Sequence, residues 1–399
     1  MVAADRPGGV LVAGAGIAGL ASALALDAKG FRVTLLERNA ELSGVGAGLQ
    51  LSPNATRLLR RLGVLDRLAA TAVRPERITL RSARDSRTLL ALPLGAGAEE
   101  RWGAPYLVCH RADLQEALLA QVRQRTCITL RLGQEAVDQK LNAGEVEVRT
   151  GEATLEYGDL LVAADGVWSR IAASILGRRA VFSGYIAWRM SIAARNAPQQ
   201  LSGSDLARSV TAWLGPTGHL IAYPVRAGEI LNLVAVTPGA ETGASWQADG
   251  DAGVLASHFA GWHKPVRELV ELGGRPTCWP LFGMPGGPWT AHGRLVLVGD
   301  AAHAMTPFAA QGAAMAIEDA CALAAVLGSG GSIVAGLARF EAMRKPRIEA
   351  ARRRGSLNRF AYHASGATAL ARNAIFRLRP ARAFLADLDW LYGYDGTGF

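Results

Sequence analysis

Apolar and polar positions along this chain fall into two regimes. Short, nearly uncharged runs at Val10–Ala13, Leu160–Ala164 and Leu295–Val298 have the character of strands buried on both faces of a parallel sheet. Val10–Ala13 runs into Gly14-Ala-Gly-Ile-Ala-Gly19. The spacing predicts a helix over Ile17–Lys29, ended by Gly30, and a returning strand at Phe31–Leu36 followed by Glu37. A further helix is expected from Pro53 to about Leu62. The second regime alternates. Arg77–Arg84 alternates in part, and Gly218–Val225 with Ile230–Val236 read as paired antiparallel strands. Residues after 356 carry a helical pattern.

With 399 residues, half of them apolar and 19% charged, the chain holds about two to three domains' worth of core. There is no low-complexity tract and no internal repeat. Gly9–Leu26 is uncharged and close to the roughly 20-residue length of a membrane span. Its three spaced glycines argue for strand, turn and helix instead, and Asp5 with Arg6 makes no signal-peptide start. Cys109, Cys127, Cys278 and Cys321 show no ligand or CxxC spacing, so a cytoplasmic protein without a structural metal is expected. The net charge of +9 comes from arginine. Its densest cluster, Arg344 to Arg354, is expected on a helix interrupted by Pro346, as a solvated face rather than a nucleic-acid or membrane surface.

The glycines explain themselves chemically. Gly14 permits the tight turn, Gly16 lets backbone approach a pyrophosphate, and Gly19 lets helix and strand pack closely, with Ala18 between them. The helix N-terminus faces the phosphates, and Glu37 has the placement of a ribose-binding carboxylate. Arg38 beside it suits a 2′-phosphate, adenine stacking or plain surface. Two later strands also deliver acids to a sheet edge, one ending in Asp165-Gly166 and the other in Gly299-Asp300. Gln311, Gly312 and Ala313 then open a helix whose dipole favours an anion. Contacts so far apart in sequence suit FAD better than NAD. Gly44–Gly48 follows no strand and reads as a loop running close to a ligand.

These segments resemble the GxGxxG, DG and GD motifs of the class A, single-component flavoprotein aromatic hydroxylases. The likeness is greatest to the branch of salicylate hydroxylase, 3-hydroxybenzoate 6-hydroxylase and 6-hydroxynicotinate 3-monooxygenase. Val45–Asn54, His110–Leu114, Gly299–His303 and Leu391–Asp395 carry it further, over nearly the whole chain. The resemblance implies an α/β fold: a Rossmann-like FAD-binding domain of glutathione-reductase type, a mainly antiparallel substrate domain and C-terminal helices. It implies a discontinuous FAD domain (1–75, 105–180, 276–355), a substrate domain (76–104, 181–275) and a helical segment (356–399). Glu37 would bind the adenosine ribose, Arg111 and Asp300 the ribityl-pyrophosphate arm. Gln50 would lie near the flavin, Asp165 and Gly166 near FAD and NAD(P)H, and Pro307 and Phe308 beside flavin C4a.

The activity implied is an FAD-dependent monooxygenase that consumes NADH or NADPH and O₂. It would hydroxylate a small phenolic or N-heteroaromatic acid through a flavin C4a-hydroperoxide. A salicylate- or 3-hydroxybenzoate-like substrate is favoured, because Ser209, Phe308 and Gln50 replace a cysteine and two histidines of the pyridine hydroxylases. A 6-hydroxynicotinate-type activity is the alternative, and a flavin-free NAD-dependent dehydrogenase a more distant one. His219 and Tyr223, four apart on one strand, share a face and read as base and orienting hydroxyl, or else as a strand-start residue and a core aromatic. Trp188, Arg189, Met190, Trp213, Trp279 and Phe308 are candidate pocket walls, and His303 reads as structural. The expected partner is a small aromatic substrate, with a homodimer as candidate assembly.

Overall fold

The computed structural model describes residues 8–42, 47–142, 144–151, 153–202, 206–241 and 248–396. Asp5, Arg6 and most of the Gly-rich loop (Gly44, Val45, Gly46) lie outside them. The nucleotide half is built on a six-stranded sheet. Its order is Thr290–Ala291, Leu295–Leu297, Leu160–Ala163, Gly9–Ala13, Arg32–Glu37, Ile128–Leu132, parallel except for the first strand. The uncharged runs take its centre because both faces are covered, by helices such as Ile17–Asp27 and by a three-stranded unit whose Val146 and Val148 join the same core. Helix Ile17–Asp27 has nine buried residues and packs against helix Gly312–Gly328. Gly14 and Gly19 are required by local geometry. Gly14 sits at φ +102°, and a Cβ there would come within 2.6 Å of the Ala164 carbonyl. A Cβ at Gly19 would lie 1.8 Å from the Gly14 carbonyl, so the helix could not enter at this angle with any side chain.

The second sheet has eight strands. Its order is Ala248–Asp249, Thr277–Gly283, Val181–Ala193, Ile230–Pro238, Gly218–Val225, Ser209–Gly215, Arg77–Ser82, Thr88–Pro93. All neighbours are antiparallel except Ser209–Gly215 with Arg77–Ser82. Thr277–Gly283 pairs with Val181–Ala193 here, so the boundary expected at 275/276 falls one strand too early. Both faces of this sheet are covered. One packs on helices Ala252–His258 and Lys264–Leu272 in a core of Trp188, Met190, Trp213, Leu233 and Phe259. The other turns towards the nucleotide half. A three-stranded unit (Ala136–Leu141, Val146–Thr150, Leu155–Gly158) forms its own sheet and packs against the parallel one, with Val146 and Val148 buried in the shared core.

Helix Ile333–Tyr362 runs unbroken through Pro346 and across the expected boundary at 355/356. Proline removes one i→i−4 bond, but the packed face of Leu337, Phe340, Ile348 and Ala351 holds the helix on either side. The arginine cluster is not simply a solvated face. Arg344 is fully buried, and Arg347 is paired to Glu318. Helices Gly366–Leu378 and Ala381–Ala386 follow, and the first has no buried residue. Among the described residues no helix is long and apolar enough to cross a membrane.

Candidate active site

The ends of the parallel strands open on a groove of about 510 Å³ lined by Gly14, Gly16, Glu37, Arg38, Arg111, Asp165 and Gly166. Glu37 is locked at its rim: Oε2 accepts the Ala15 N–H (2.8 Å), and Oε1 accepts both Asn39 nitrogens (3.0 and 2.6 Å). A carboxylate has about four acceptor positions, so one remains for a ribose hydroxyl. A Cβ at Gly16 would meet nothing within 4 Å, leaving backbone open to a pyrophosphate. The buried Oδ1 of Asp165 has no hydrogen-bond partner, while Oδ2 accepts from the Ile171 N–H. Burial raises the Asp165 carboxyl, and a donor from a ligand would satisfy it. Spare acceptors, open backbone and an orphaned oxygen all suit a dinucleotide. Arg38 is exposed at the edge. Ala18 faces elsewhere, its Cβ within 2.9 Å of where a Cβ on Gly299 would stand.

Asp300 opens a short helix, Asp300–His303, after Gly299 at φ +59°. Burial raises its carboxyl, opposed by His303 and Arg111. Burial lowers the Arg111 guanidinium, opposed by Asp300. The turn is anchored from behind by Asp319, which accepts the Gly299 N–H (2.9 Å), His303 Nε2 (2.5 Å) and Arg344 Nε (2.7 Å). His303 therefore has the structural place expected of it. Glu318 next door accepts from Asn54 (2.7 Å), Arg344 (2.6 Å) and Arg347. The Gln311 side chain is turned into this network, donating to Ser52 Oγ and accepting from Asn54. What it offers a cofactor is backbone, as do Gly312 and Ala313 in the first turn of Gly312–Gly328.

A second cavity, about 410 Å³, lies between the second sheet and the C-terminal helices. Gln50, Tyr106, Pro307, Phe308, Ile221 and Tyr362 line its inner end. Gln50 accepts the Tyr106 hydroxyl at 2.7 Å, and Asn358 donates to the Phe308 carbonyl at 2.9 Å, tethering the Pro307–Ala309 turn. His219 and Tyr223 do share the inward face with Ile221. Both are buried, and neither opens directly on this cavity; Phe308 and Tyr362 pack against His219. His219 Nδ1 meets His363 Nε2 at 3.0 Å. Burial, then the neighbouring His363, lowers His219 to about 3; burial, then Arg359, lowers His363 to about 4.

Arg189 also faces inward. Its guanidinium stacks 3.6 Å over the Trp279 ring, which lines the groove. It has no carboxylate partner among the described residues, its Nε is buried without a hydrogen bond, and burial lowers it to about 10. Burial raises the Tyr223 hydroxyl, opposed by Arg189. Trp188, Met190 and Trp213 are corrections. Strand alternation puts them on the opposite face, where Trp188 donates to Thr237 and Trp213 to Ser86. Ser209 is also on that far face, since Val210 and Ala212 line the cavity. Sequence reasoning missed Tyr106 and the C-terminal helices as cavity walls, and His363 as the partner of His219; only proximity in space reveals them.

The chain matches the family described as FAD binding domain over residues 9–354. It is 35% identical to a 3-amino-4-hydroxybenzoate 2-monooxygenase of Streptomyces platensis over 398 residues, covering 97% of this chain and 96% of that protein. It is 32% identical to the 3-hydroxybenzoate 6-hydroxylase of Polaromonas naphthalenivorans over 403 residues, covering 98% and 97%. Among solved structures it is similar to a salicylate hydroxylase substrate complex, with a TM-score of 0.81, 25% identity, and 98% and 96% coverage. It is also similar to Klebsiella pneumoniae HpxO complexed with FAD and uric acid, with a TM-score of 0.83, 25% identity and 96% of each chain covered.

Proposed function

The chain belongs to the FAD-binding-domain family of flavoprotein aromatic hydroxylases, and on that premise we propose that it hydroxylates a small phenolic acid of the salicylate or 3-hydroxybenzoate kind. It is an FAD-dependent aromatic-ring monooxygenase with NAD(P)H and O₂ as co-substrates, which sets aside the flavin-free dehydrogenase. Bound FAD supplies the redox chemistry and the activated oxygen. The protein's own residues supply the rest. Glu37 holds the ribose, the Gly14–Gly16 backbone and the helix end beyond it take the pyrophosphate, and Arg111 and Asp300 hold the arm between. The first-turn amides of Gly312 and Ala313 favour negative charge at the ring edge. The apolar cavity keeps water from the reacting centre. His219 accepts the phenolic proton, and Tyr223 orients the ring.

The observation that carries the substrate class is the half-buried Arg189 near Tyr223, whose buried Nε has no hydrogen-bond partner and whose guanidinium has no carboxylate partner among the described residues. A partly desolvated cation with an unsatisfied donor favours an anionic partner, here the carboxylate of the aromatic acid. Arg189→Met should weaken binding of salicylate or 3-hydroxybenzoate about ten- to a hundredfold, the value of a charged hydrogen bond. The corresponding uncharged phenol should lose much less. Equal losses for acid and phenol would remove Arg189 from this role. Coupled assays on a panel of phenolic and pyridine acids, with product and peroxide both quantified, separate the favoured substrate from a pyridine acid. A cytoplasmic homodimer completes the reading, and sedimentation velocity checks it.

A further inference from the structure

We propose that His363 is the outer station of a two-imidazole relay that carries the substrate's phenolic proton from His219 to solvent. This rests on the reading of His219 as the group that accepts that proton. The contact joins residues 144 apart, the inward face of strand Gly218–Val225 and the C-terminal end of helix Ile333–Tyr362. The rings stand 5.2 Å apart between centroids, walled by Tyr185, Phe308 and Tyr362. His219 is 1% exposed, whereas His363 is only partly buried, so the pair spans from core towards surface. His363 is fixed by its backbone N–H, which donates to the Arg359 carbonyl at 3.1 Å.

The charged and titratable groups around the pair are Arg359, one turn earlier on the same helix and over the Tyr185 ring, with the phenols of Tyr185 and Tyr362. No carboxylate among the described residues pairs with either imidazole. Burial and the neighbouring positive charge keep both rings neutral well below pH 7. A solitary histidine held in that way would be a poor base, because it would have to keep an imidazolium in an apolar core. A neutral pair avoids the difficulty. With the proton of His219 on Nδ1, donated to His363 Nε2, the Nε2 of His219 is a free acceptor and Nδ1 of His363 carries hydrogen.

The phenol O–H proton moves to His219 Nε2, the Nδ1 proton crosses to His363 Nε2, and the Nδ1 proton of His363 leaves to water. One proton enters and one leaves, no cation stays buried, and the reverse transfer resets both tautomers when the product oxygen is reprotonated. His363 is in this sense a positioning residue. It decides which nitrogen of His219 faces the substrate and gives the proton an exit.

The test uses the FAD-loaded enzyme and a nitro-substituted salicylate whose phenolate absorbs in the visible. Ligand ionisation and proton release to an indicator dye are followed together by stopped flow in weak buffer. His363→Gln keeps hydrogen bonding but cannot pass a proton, and His363→Phe keeps ring packing; retained FAD reports that each variant is folded. Both should slow proton release about ten- to a hundredfold, with ligand affinity changed less than about threefold and partial rescue of a His363→Gly variant by added imidazole. Wild-type release rates in His363→Gln, with ionisation lost in His219→Ala, would overturn the relay while leaving His219 as base. Unchanged ionisation in His219→Ala would overturn the base assignment and the relay with it.

Discussion

Single side chains in this protein are defined by what they lack as much as by what they touch. Among the described residues Arg189 has no carboxylate partner, Asp165 Oδ1 has no donor, and the hydrogen-bond partner of His219 is another imidazole. The histidine pair carries a consequence for stability. Its pKa values are lowered in the folded state, so the unfolded chain takes up protons that the folded pair refuses. The contribution is therefore complete above the ordinary histidine value of about 6.5 and is lost as pH falls from there towards about 3. Denaturation midpoints of His219→Leu should depend less on pH over that window than those of the parent; parallel curves would refute the linkage. Glu37, Gly14 and Gly19 were legible in the sequence because their chemistry is local, a turn and an acid at fixed spacing. Trp188 and Met190 misled for a physical reason. Alternation shows that they share a face, but a sheet covered on both sides has two apolar faces, and the pocket took the one carrying Arg189.

Among the elements, helix Gly312–Gly328 is held most deliberately. Glu318 and Asp319 on it join the Gly299–Asp300 turn, the Ser52–Asn54 segment and helix Ile333–Tyr362 through Arg344 and Arg347. Burial pushes Asp319 up, but His303 and Arg344 outweigh it and leave the carboxyl below its usual range. Arg344→Met leaves two carboxylates without their buried partner, which costs about 3–5 kcal/mol for a broken buried pair. Its unfolding midpoint should fall, and FAD should be released more readily, since the turn bearing Asp300 loses its backing. A variant with parent-like stability and FAD retention would show the network to be dispensable. The same network holds the chain's last described segment: Arg347 donates to the Trp390 and Leu391 carbonyls and Arg61 to that of Asp395. The sequence showed the arginine cluster but not this use of it, because ion-pair partners 25 to 29 residues away leave no periodic trace.

For the molecule as a whole, the two sheets are unequal in how firmly they hold their surroundings. Helix Gly366–Leu378 covers the outer end of the second cavity without burying a single residue of its own, and Leu370 and Leu378 are 71% and 78% exposed. Little apolar burial means cheap opening. Amide hydrogens of 366–378 should exchange much faster than those of Gly312–Gly328, and a bound aromatic acid should slow them; uniform protection across both helices would contradict this. The central sheet has the opposite character, and its topology reaches back to protein synthesis. Its strand Leu161–Ala163 gains its outer neighbour only from Leu295–Leu297. A ribosome must therefore emit three quarters of the chain while that sheet edge waits open, its apolar strands already made and unable to close. Nascent chains stalled before residue 295 should bind chaperones that recognise apolar strands and should hold no flavin.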